Sequence, residues 1–366
     1  MKSASARSSS RTGGIRRGEV ISGWLFTAPM LLIVGLFLVV PIGMALWVSV
    51  SDYSGRGSPF SGEFHFVGLT HYAEITSGGG LTERNFGIAL RNSLWYTLLV
   101  VPTQTAISLM LAVLLNRQRL RGRGFFRTAF YFPSVTSSVA ITVLWLFLFN
   151  ATGAINAMLG WLHINGPNWF NNPQGLLHAT LSGLGVNRAP NALARHTILG
   201  VSWWDWLAGP SWAMTALMLM AIFTTSGTFM LLFIAALQNL SPEVDEAAIV
   251  DGANGWQRFW QVTLPQVRPT IFTVVTLGVI GCWQVFDQVF TGTQGQPANT
   301  TLTPAYLAYN TAFGPNAQWG TAAAIGFVLF VIIILFNLGQ RAMLTDRSDR
   351  APRPHRVKVG TKGAAS

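Results

Sequence analysis

The chain has 366 residues, 50% of them hydrophobic and only 10% charged, with a mean hydropathy of +0.41. Soluble domains carry about 25% charged residues, so an ordinary soluble domain is excluded. The net charge of +11 raises the question of nucleic acid, but in so apolar a chain excess Lys and Arg mark loops and tails on the cytoplasmic side of a membrane, and no nucleic-acid partner is expected.

A helix needs roughly 20 predominantly apolar residues to cross a bilayer. Six runs reach that length, at 24–50, 92–115, 129–149, 212–237, 270–290 and 322–343. The first follows Arg16-Arg17 but is too long for a signal sequence, contains Pro29 and Pro41, and lacks a small-x-small cleavage site. It reads as a retained helix.

Most of the 24 Lys and Arg residues fall on one side of these runs. They sit before run 1 (Lys2, Arg7, Arg11, Arg16, Arg17), after run 2 (Arg117, Arg119, Arg121, Arg123, Arg127), after run 4 (Arg258, Arg268) and in the C-terminal tail. Both termini are therefore expected to be cytoplasmic. The expected organisation is a disordered basic cytoplasmic tail at 1–20, a transmembrane domain at 21–344 and a second such tail at 345–366. The domain carries a long extracytoplasmic loop at 150–211 and a cytoplasmic loop at 238–268.

The 150–211 loop is rich in Asn, Gly and Trp. Loops this long are functional or disordered. Trp203, Trp204 and Trp206, near the start of run 4, read as an interfacial aromatic belt or as short helices lying on the membrane.

The 238–268 loop has the make-up of a water-tolerant helix that fits a groove. Ser241 suits an N-cap and Pro242 the first helical position. Glu243, Asp245 and Glu246 complement the dipole of the first turn. Ala247 and Ala248 add little bulk, and Gly252 permits a turn after the helix. Leu264-Pro265 then closes the segment, because proline disfavours helix at the residue before it.

Polar residues inside spans face the bundle interior or a cavity. Run 4 carries Thr224, Thr225, Ser226 and Thr228. In run 5, Gln284, Asp287, Gln288 and Thr291 recur at helical spacing and are expected on one face, with Trp283 and Phe290 at its edge. Amide, carboxylate and aromatic rings are the chemistry of sugar recognition. Asp287 is the one acid in the six runs, and without an ionisable partner it supports no proton relay. The candidate substrate pathway is thus Thr225, Thr228, Trp283, Gln284, Asp287 and Gln288. No His pair has metal-ligand spacing, the single Cys282 forms no internal disulfide, and no Gly-x4-Gly-Lys-Ser/Thr phosphate loop occurs. No catalytic residue, metal or bound cofactor is expected.

The stretch Glu246-Ala-Ala-Ile-Val-Asp251-Gly252-Ala253, followed by Val262-Thr-Leu264-Pro265, resembles the signature loop of permease subunits in binding-protein-dependent ABC importers. Leu25-Phe-Thr-Ala-Pro, Phe66-Val-Gly-Leu-Thr-His-Tyr72, Asn92-Ser, Arg121-Gly-Arg-Gly-Phe-Phe-Arg127 with Phe132-Pro133, and Phe286-Asp287 are similar to segments of the maltose and glycerol-phosphate type. His71 stands where Asn is usual, and the 150–211 loop carries an insertion, placed before Trp206. The resemblance implies an all-α, six-helix, N-in/C-in type I permease in a bacterial inner membrane. Its coupling element would comprise Glu243, Asp245, Glu246, Ala247, Ala248, Asp251, Gly252, Ala253, Leu264 and Pro265. Implied partners are a second homologous permease, two ATPase subunits that bind ATP and Mg, an extracytoplasmic solute-binding protein and the lipid bilayer. The implied cargo is a carbohydrate. A glycerol-3-phosphate or polyol permease and an ion-coupled secondary transporter are the alternatives.

Overall fold

The computed structural model describes residues 17–58, 64–116, 120–186 and 189–344. Both expected tails, apart from their few residues inside that range, lie outside the described residues, as do Arg117, Arg119 and Arg188.

The chain begins with α1, Arg17–Val34, which passes through a π turn at Gly35–Val39 into α2, Val40–Ser49. Then come α3, Thr70–Ser77, and α4, Leu81–Leu115. Next are α5, Arg123–Val135, and α6, Ser138–Leu148. The 150–211 segment folds into α7, Ala154–Trp161, a 3-10 turn at Trp169–Asn171, α8, Leu176–Gly183, and α9, Asn191–Arg195. It closes with a hairpin of β1, Thr197–Ile198, and β2, Val201–Ser202, and then α10, Trp203–Trp206. The long α11, Trp212–Gln238, leads to α12, Pro242–Val250, and α13, Gly255–Arg258. A π turn at Phe259–Thr263 runs into α14, Leu264–Gln266, then α15, Arg268–Trp283. A last π turn at Val289–Thr293 precedes α16, Pro304–Phe313, and α17, Trp319–Leu344. Among the described residues four helices are long and apolar enough to cross a membrane, or up to six if each of two bent pairs is one span.

The core lies where α4 and α11 pack together. Small residues let their backbones approach, as membrane helices require: Ser108 Oγ donates to the Ser226 carbonyl at 3.1 Å. Around that seam Phe86, Tyr96, Val100, Met214, Leu217, Met220 and Ile325 are fully enclosed. A second cluster toward the 238–268 loop joins Leu109, Ala112, Met230, Phe233, Val267 and Val274. The α1–α2 rod is different: its side chains face outward almost to Met44, beyond which α2 packs into the bundle beside α17. A helix apolar all round suits hydrocarbon.

Three expected runs need correction. The 129–149 run is not one helix: α5 and α6 meet at 99°, broken at Thr136. Ser134 Oγ and Thr136 Oγ1 donate to the carbonyls of Tyr131 and Phe132 just behind Pro133, competing with the helix ladder. The 270–290 run ends at Trp283, capped by Gln284. The 92–115 run starts earlier, at Leu81, so Glu83, Arg84 and Arg91 belong to the helix.

The segment before Trp206, where an insertion is expected, folds as a lobe with a narrow neck. Gly175 and Ser211 form an antiparallel bridge, and the Leu176 and Leu177 amides donate to the Pro210 and Ala208 carbonyls at 2.9 and 3.0 Å. A Cβ at Gly175 would strike the Ala208 backbone, so only glycine closes the neck. Trp204 stacks on His178 with centroids 4.4 Å apart, and Trp206 Nε1 donates to the Ile198 carbonyl. Those two tryptophans hold the lobe together, within the short helix α10, while Trp203 stays half-exposed.

Candidate functional site

Two regions carry the expected site residues. The first is the cavity side of the bundle. A cavity of about 290 Å³ lies between α5, α6 and α11. Ser134, Thr136, Ser138, Thr142, Thr224, Thr225, Thr228 and Gln288 give it a hydroxyl and amide lining, with Pro133, Ile141, Met220 and Phe229 as its apolar wall. A second hollow of about 210 Å³ is lined by Ser138, Gly281, Gln284, Val285, Phe286, Asp287 and Gln288. Ser138 and Gln288 border both, so the two hollows meet there.

Thr225, Thr228, Gln284, Asp287 and Gln288 are thereby brought together, though not as expected. The helix stops at Gln284 and resumes in a separate turn at Asp287, so one helical face does not hold them. The break itself turns Gln284 and Asp287 into the same hollow. Trp283 departs from the expectation: it is buried and packs on Phe336 at 5.1 Å in the core, away from both hollows. Phe290 stacks on Phe286 and meets Tyr309 edge-on, opening an aromatic row that continues through Phe313 to Trp319. Thr224, Thr225 and Ser226 donate to carbonyls one turn back, satisfying themselves in the manner of helical hydroxyls.

Sequence reasoning missed the polar side chains of runs 2 and 3. Gln104 and Tyr96 on α4 bond to cavity residues from behind, and Ser134, Thr136, Ser138 and Thr142 supply one wall. Their signal was available: a glutamine and a Ser/Thr cluster inside apolar runs. Asp287 is also not the one ionisable group on a span helix, because Arg91 lies in α4. Arg91 is buried at the lobe end and spends its donors on Asn92 Oδ1 and the Asp205 carbonyl, far from any relay.

The second region is the 238–268 loop, at the other end of α11. Pro242 opens α12 and Ser241 occupies the N-cap position, but its hydroxyl makes no capping bond. Gly252, at φ +81°, takes the left-handed position after the helix. Its amide donates to the Ile249 carbonyl at 3.0 Å and the Ala253 amide to the Ala248 carbonyl at 2.9 Å. That paired pattern is a Schellman stop. Asn254 then starts α13 with a capping box to Gln257. Arg258 reaches back to Asp245, with Nε donating to Oδ1 at 2.9 Å and Nη2 to Oδ2. Asp245 is thus a strut of the loop as well as a first-turn acid.

Leu264-Pro265 does not end the segment. The π turn at Phe259–Thr263 sits directly before Pro265, as the one at Gly35–Val39 sits before Pro41. Widening the turn there absorbs the donor that proline lacks, so the helix passes through and bends 67° at Val267 instead. Leu264 packs against the second core cluster.

The loop stands clear of the bundle. Glu243, Glu246, Ala247 and Asp251 are exposed, with Ala248 and Ala253 half-buried. Val250 is 86% and Trp256 71% exposed, beside exposed Val244, Ile249 and Trp260. Behind it a hollow of about 670 Å³ is lined by Asn116, Arg123, Gln238, Asp245, Arg258 and Gln266 among others. Among the described residues no cluster of His, Cys, Asp or Glu could hold a metal.

Apolar helices around a hydroxyl-lined hollow, with a shaped polar loop at one end, define a membrane transport component. Residues 104–346 match the family model described as binding-protein-dependent transport system inner membrane component. The chain is 29% identical to a lactose transport system permease of Rhizobium radiobacter, over 89% of this chain and 95% of that one. It is 31% identical to an alpha-glucoside transport system permease of Rhizobium meliloti, over 87% and 81%. A trehalose/maltose transport system permease of Thermococcus litoralis is 27% identical, over 89% and 95%. The fold is like that of a bacterial ABC transporter involved in the import of the acidic polysaccharide alginate, with a TM-score of 0.65 at 21% identity, over 90% of this chain and 97% of that one. It is equally like the alginate transporter solved with an alginate pentasaccharide-bound periplasmic protein, with a TM-score of 0.66. The chain belongs to the family of binding-protein-dependent transport system inner membrane components.

Proposed function

We propose that this chain is one permease subunit of an ATP-driven importer that moves a carbohydrate delivered by an extracytoplasmic solute-binding protein. The names of its relatives, permeases for lactose, alpha-glucosides and trehalose or maltose, support the substrate class. So does a hollow rich in hydroxyls and amides. They do not favour the glycerol-phosphate, polyol or ion-coupled alternatives.

In this reading residues 21–344 form a six-span domain, each bent pair counting as one span, in an inner membrane. Both termini and the 238–268 loop are cytoplasmic, the 150–211 loop is external, and residues 1–20 and 345–366 are basic tails. A second, related permease completes the cavity. Two ATPase subunits bind ATP and Mg and hold α12 in a groove. Nucleotide binds the two conformations unequally, and that difference biases the permease between them.

One observation carries the reading: a capped, strutted loop that keeps its apolar side chains exposed. An isolated loop in water has no reason to present Val250 and Trp256, whereas a docking element does. The test is affinity purification of the tagged chain in mild detergent. Recovery of an ATPase subunit, lost on Glu246→Lys, is the expected result. A single-chain protein without an ATPase would overturn it.

A further inference from the structure

We infer that Tyr96 and Gln104, which do not line the cavity, are positioning residues that fix the hydrogen-bonding sense of Gln288 and Thr225, which do. This rests on the carbohydrate reading and adds to it a rule for which end of each group faces the cargo.

Tyr96, Val100 and Gln104 follow one another at four-residue intervals and so form one stripe of α4. All three are enclosed, at 1%, 0% and 1% exposure. Tyr96 Oη donates to Gln288 Oε1 at 3.0 Å. That bond occupies the carbonyl end of the amide. Gln288 borders both hollows, so the end it can offer there is its N–H pair, a donor. Thr225 Oγ1 has a single proton, directed at Gln104 Oε1 at 2.6 Å and at the Ala221 carbonyl at 2.7 Å. Neither acceptor lines the cavity. What Thr225 offers the cavity is therefore lone pairs, an acceptor.

Gln104 is itself seated. Its Nε2 fills the space over Gly278 of α15 that a Cβ would take. One stripe of α4 thus sets a donor from the 284–288 segment and an acceptor from α11. A sugar hydroxyl both donates and accepts, and this pair matches it while carrying no charge. Without Tyr96 Oη the Gln288 amide can flip, and the wall presents a mixture of donor and acceptor. Preorganised polar groups gain their worth by not having to reorient.

The experiment measures uptake of radiolabelled lactose, trehalose and maltotriose by cells carrying this chain with its companion subunits. Tyr96→Phe keeps the ring and removes the hydroxyl. The expected result is a half-saturating concentration raised about fivefold, the worth of one neutral hydrogen bond, with maximal rate, complex yield and melting temperature little changed. In a Gln288→Leu background Tyr96→Phe is expected to add nothing, because its effect passes through Gln288. Additive effects would overturn the positioning role. Should Tyr96→Phe lower complex yield, Gln104→Met decides: it fills the same buried space without charge and takes away the acceptor of the Thr225 hydroxyl, so a raised half-saturating concentration at unchanged complex yield is expected, and unchanged uptake overturns the inference. If deleting the chain leaves uptake of all three sugars unchanged, the carbohydrate reading itself falls, whatever Tyr96 does.

Discussion

Asp245 and Arg258 join the two arms of the 238–268 loop through a two-pronged ion pair, one prong at 2.9 Å from Nε to Oδ1. The pair ties α12 to the last residue of α13, directly before the π turn that leads into the bundle. Both side chains are partly solvent-exposed, and such pairs add about 1 kcal/mol or less to stability. Asp245→Ala is therefore expected to leave the melting temperature within about 2 °C of the parent. Uptake should nevertheless fall several-fold, since α12 loses its tie to α13. The charge-swapped Asp245→Arg with Arg258→Asp should recover much of it. Uptake unchanged in Asp245→Ala would remove the strut from the mechanism.

Gly252 ends α12 in a left-handed conformation, and no atom crowds the place where its Cβ would be. The obstacle to substitution is thus backbone strain, about 1–2 kcal/mol for a residue with a Cβ and more for a branched one. Gly252→Val is expected to unwind the Schellman stop, insert normally into membranes by immunoblot, and lose the ATPase on purification. Glu246 is exposed and bonded to nothing described, so Glu246→Lys should produce the same loss without affecting the fold.

Gly227 of α11 faces the Phe130 backbone carbonyl of α5, where an added Cβ would collide. Backbone cannot rotate away as a side chain does. Gly227→Ala should force α5 off α11, costing about 1–3 kcal/mol and lowering the detergent melting temperature. Gly326 of α17 has open space and serves as the control, with Gly326→Ala expected to be neutral. Equal melting of both variants would contradict the close approach.

Much of this architecture was legible because single residue types force it. Long apolar runs can only be buried or membrane-embedded helices, and Gly252 after Ala247-Ala248 leaves few ways to end α12. The failures have two causes: local geometries that spacing rules leave out, such as the back-bonds at Ser134 and Thr136 and the π turn before Pro265, and tertiary contacts. Gln284, Asp287 and Gln288 share helical spacing, yet the chain breaks at Gln284, and Thr303 Oγ1 takes the Val285 carbonyl that the break sets free. Pro265 disfavours helix before it, yet a π turn carries the helix through. Nothing in the spacing shows that Tyr96, far away in sequence, would meet Gln288. Such pairs exist only once α4 lies against the 284–288 segment.

Arg91 and Asn92 are adjacent on α4 and tie two separate segments to it. Arg91 Nη1 donates to the Asp205 carbonyl of the lobe at 3.3 Å, and Trp95 Nε1 adds a bond to the Trp206 carbonyl at 2.8 Å. Asn92 Nδ2 donates to the Asn299 and Leu302 carbonyls at 3.0 and 2.9 Å, while its Oδ1 takes Arg91 Nη2 at 2.8 Å. The lobe is also attached through its neck, through Gly87, which admits the Leu199 carbonyl, and through Gly200, which lies against the Arg84 backbone. Arg91→Met keeps a long unbranched stem, two atoms shorter than that of arginine, and removes its donors. The lobe should then open locally while the bundle stays folded, since only one of its anchors is cut. Arg195 is exposed on α9 and reports on this. Trypsin cleavage after Arg195, mapped by mass spectrometry in detergent, is expected to accelerate several-fold in Arg91→Met, and further when Trp95→Phe is added. An unchanged rate in the double variant would mean that the neck and the close contacts at Gly87 and Gly200 hold the lobe, and that Arg91 serves the Asn92 junction instead.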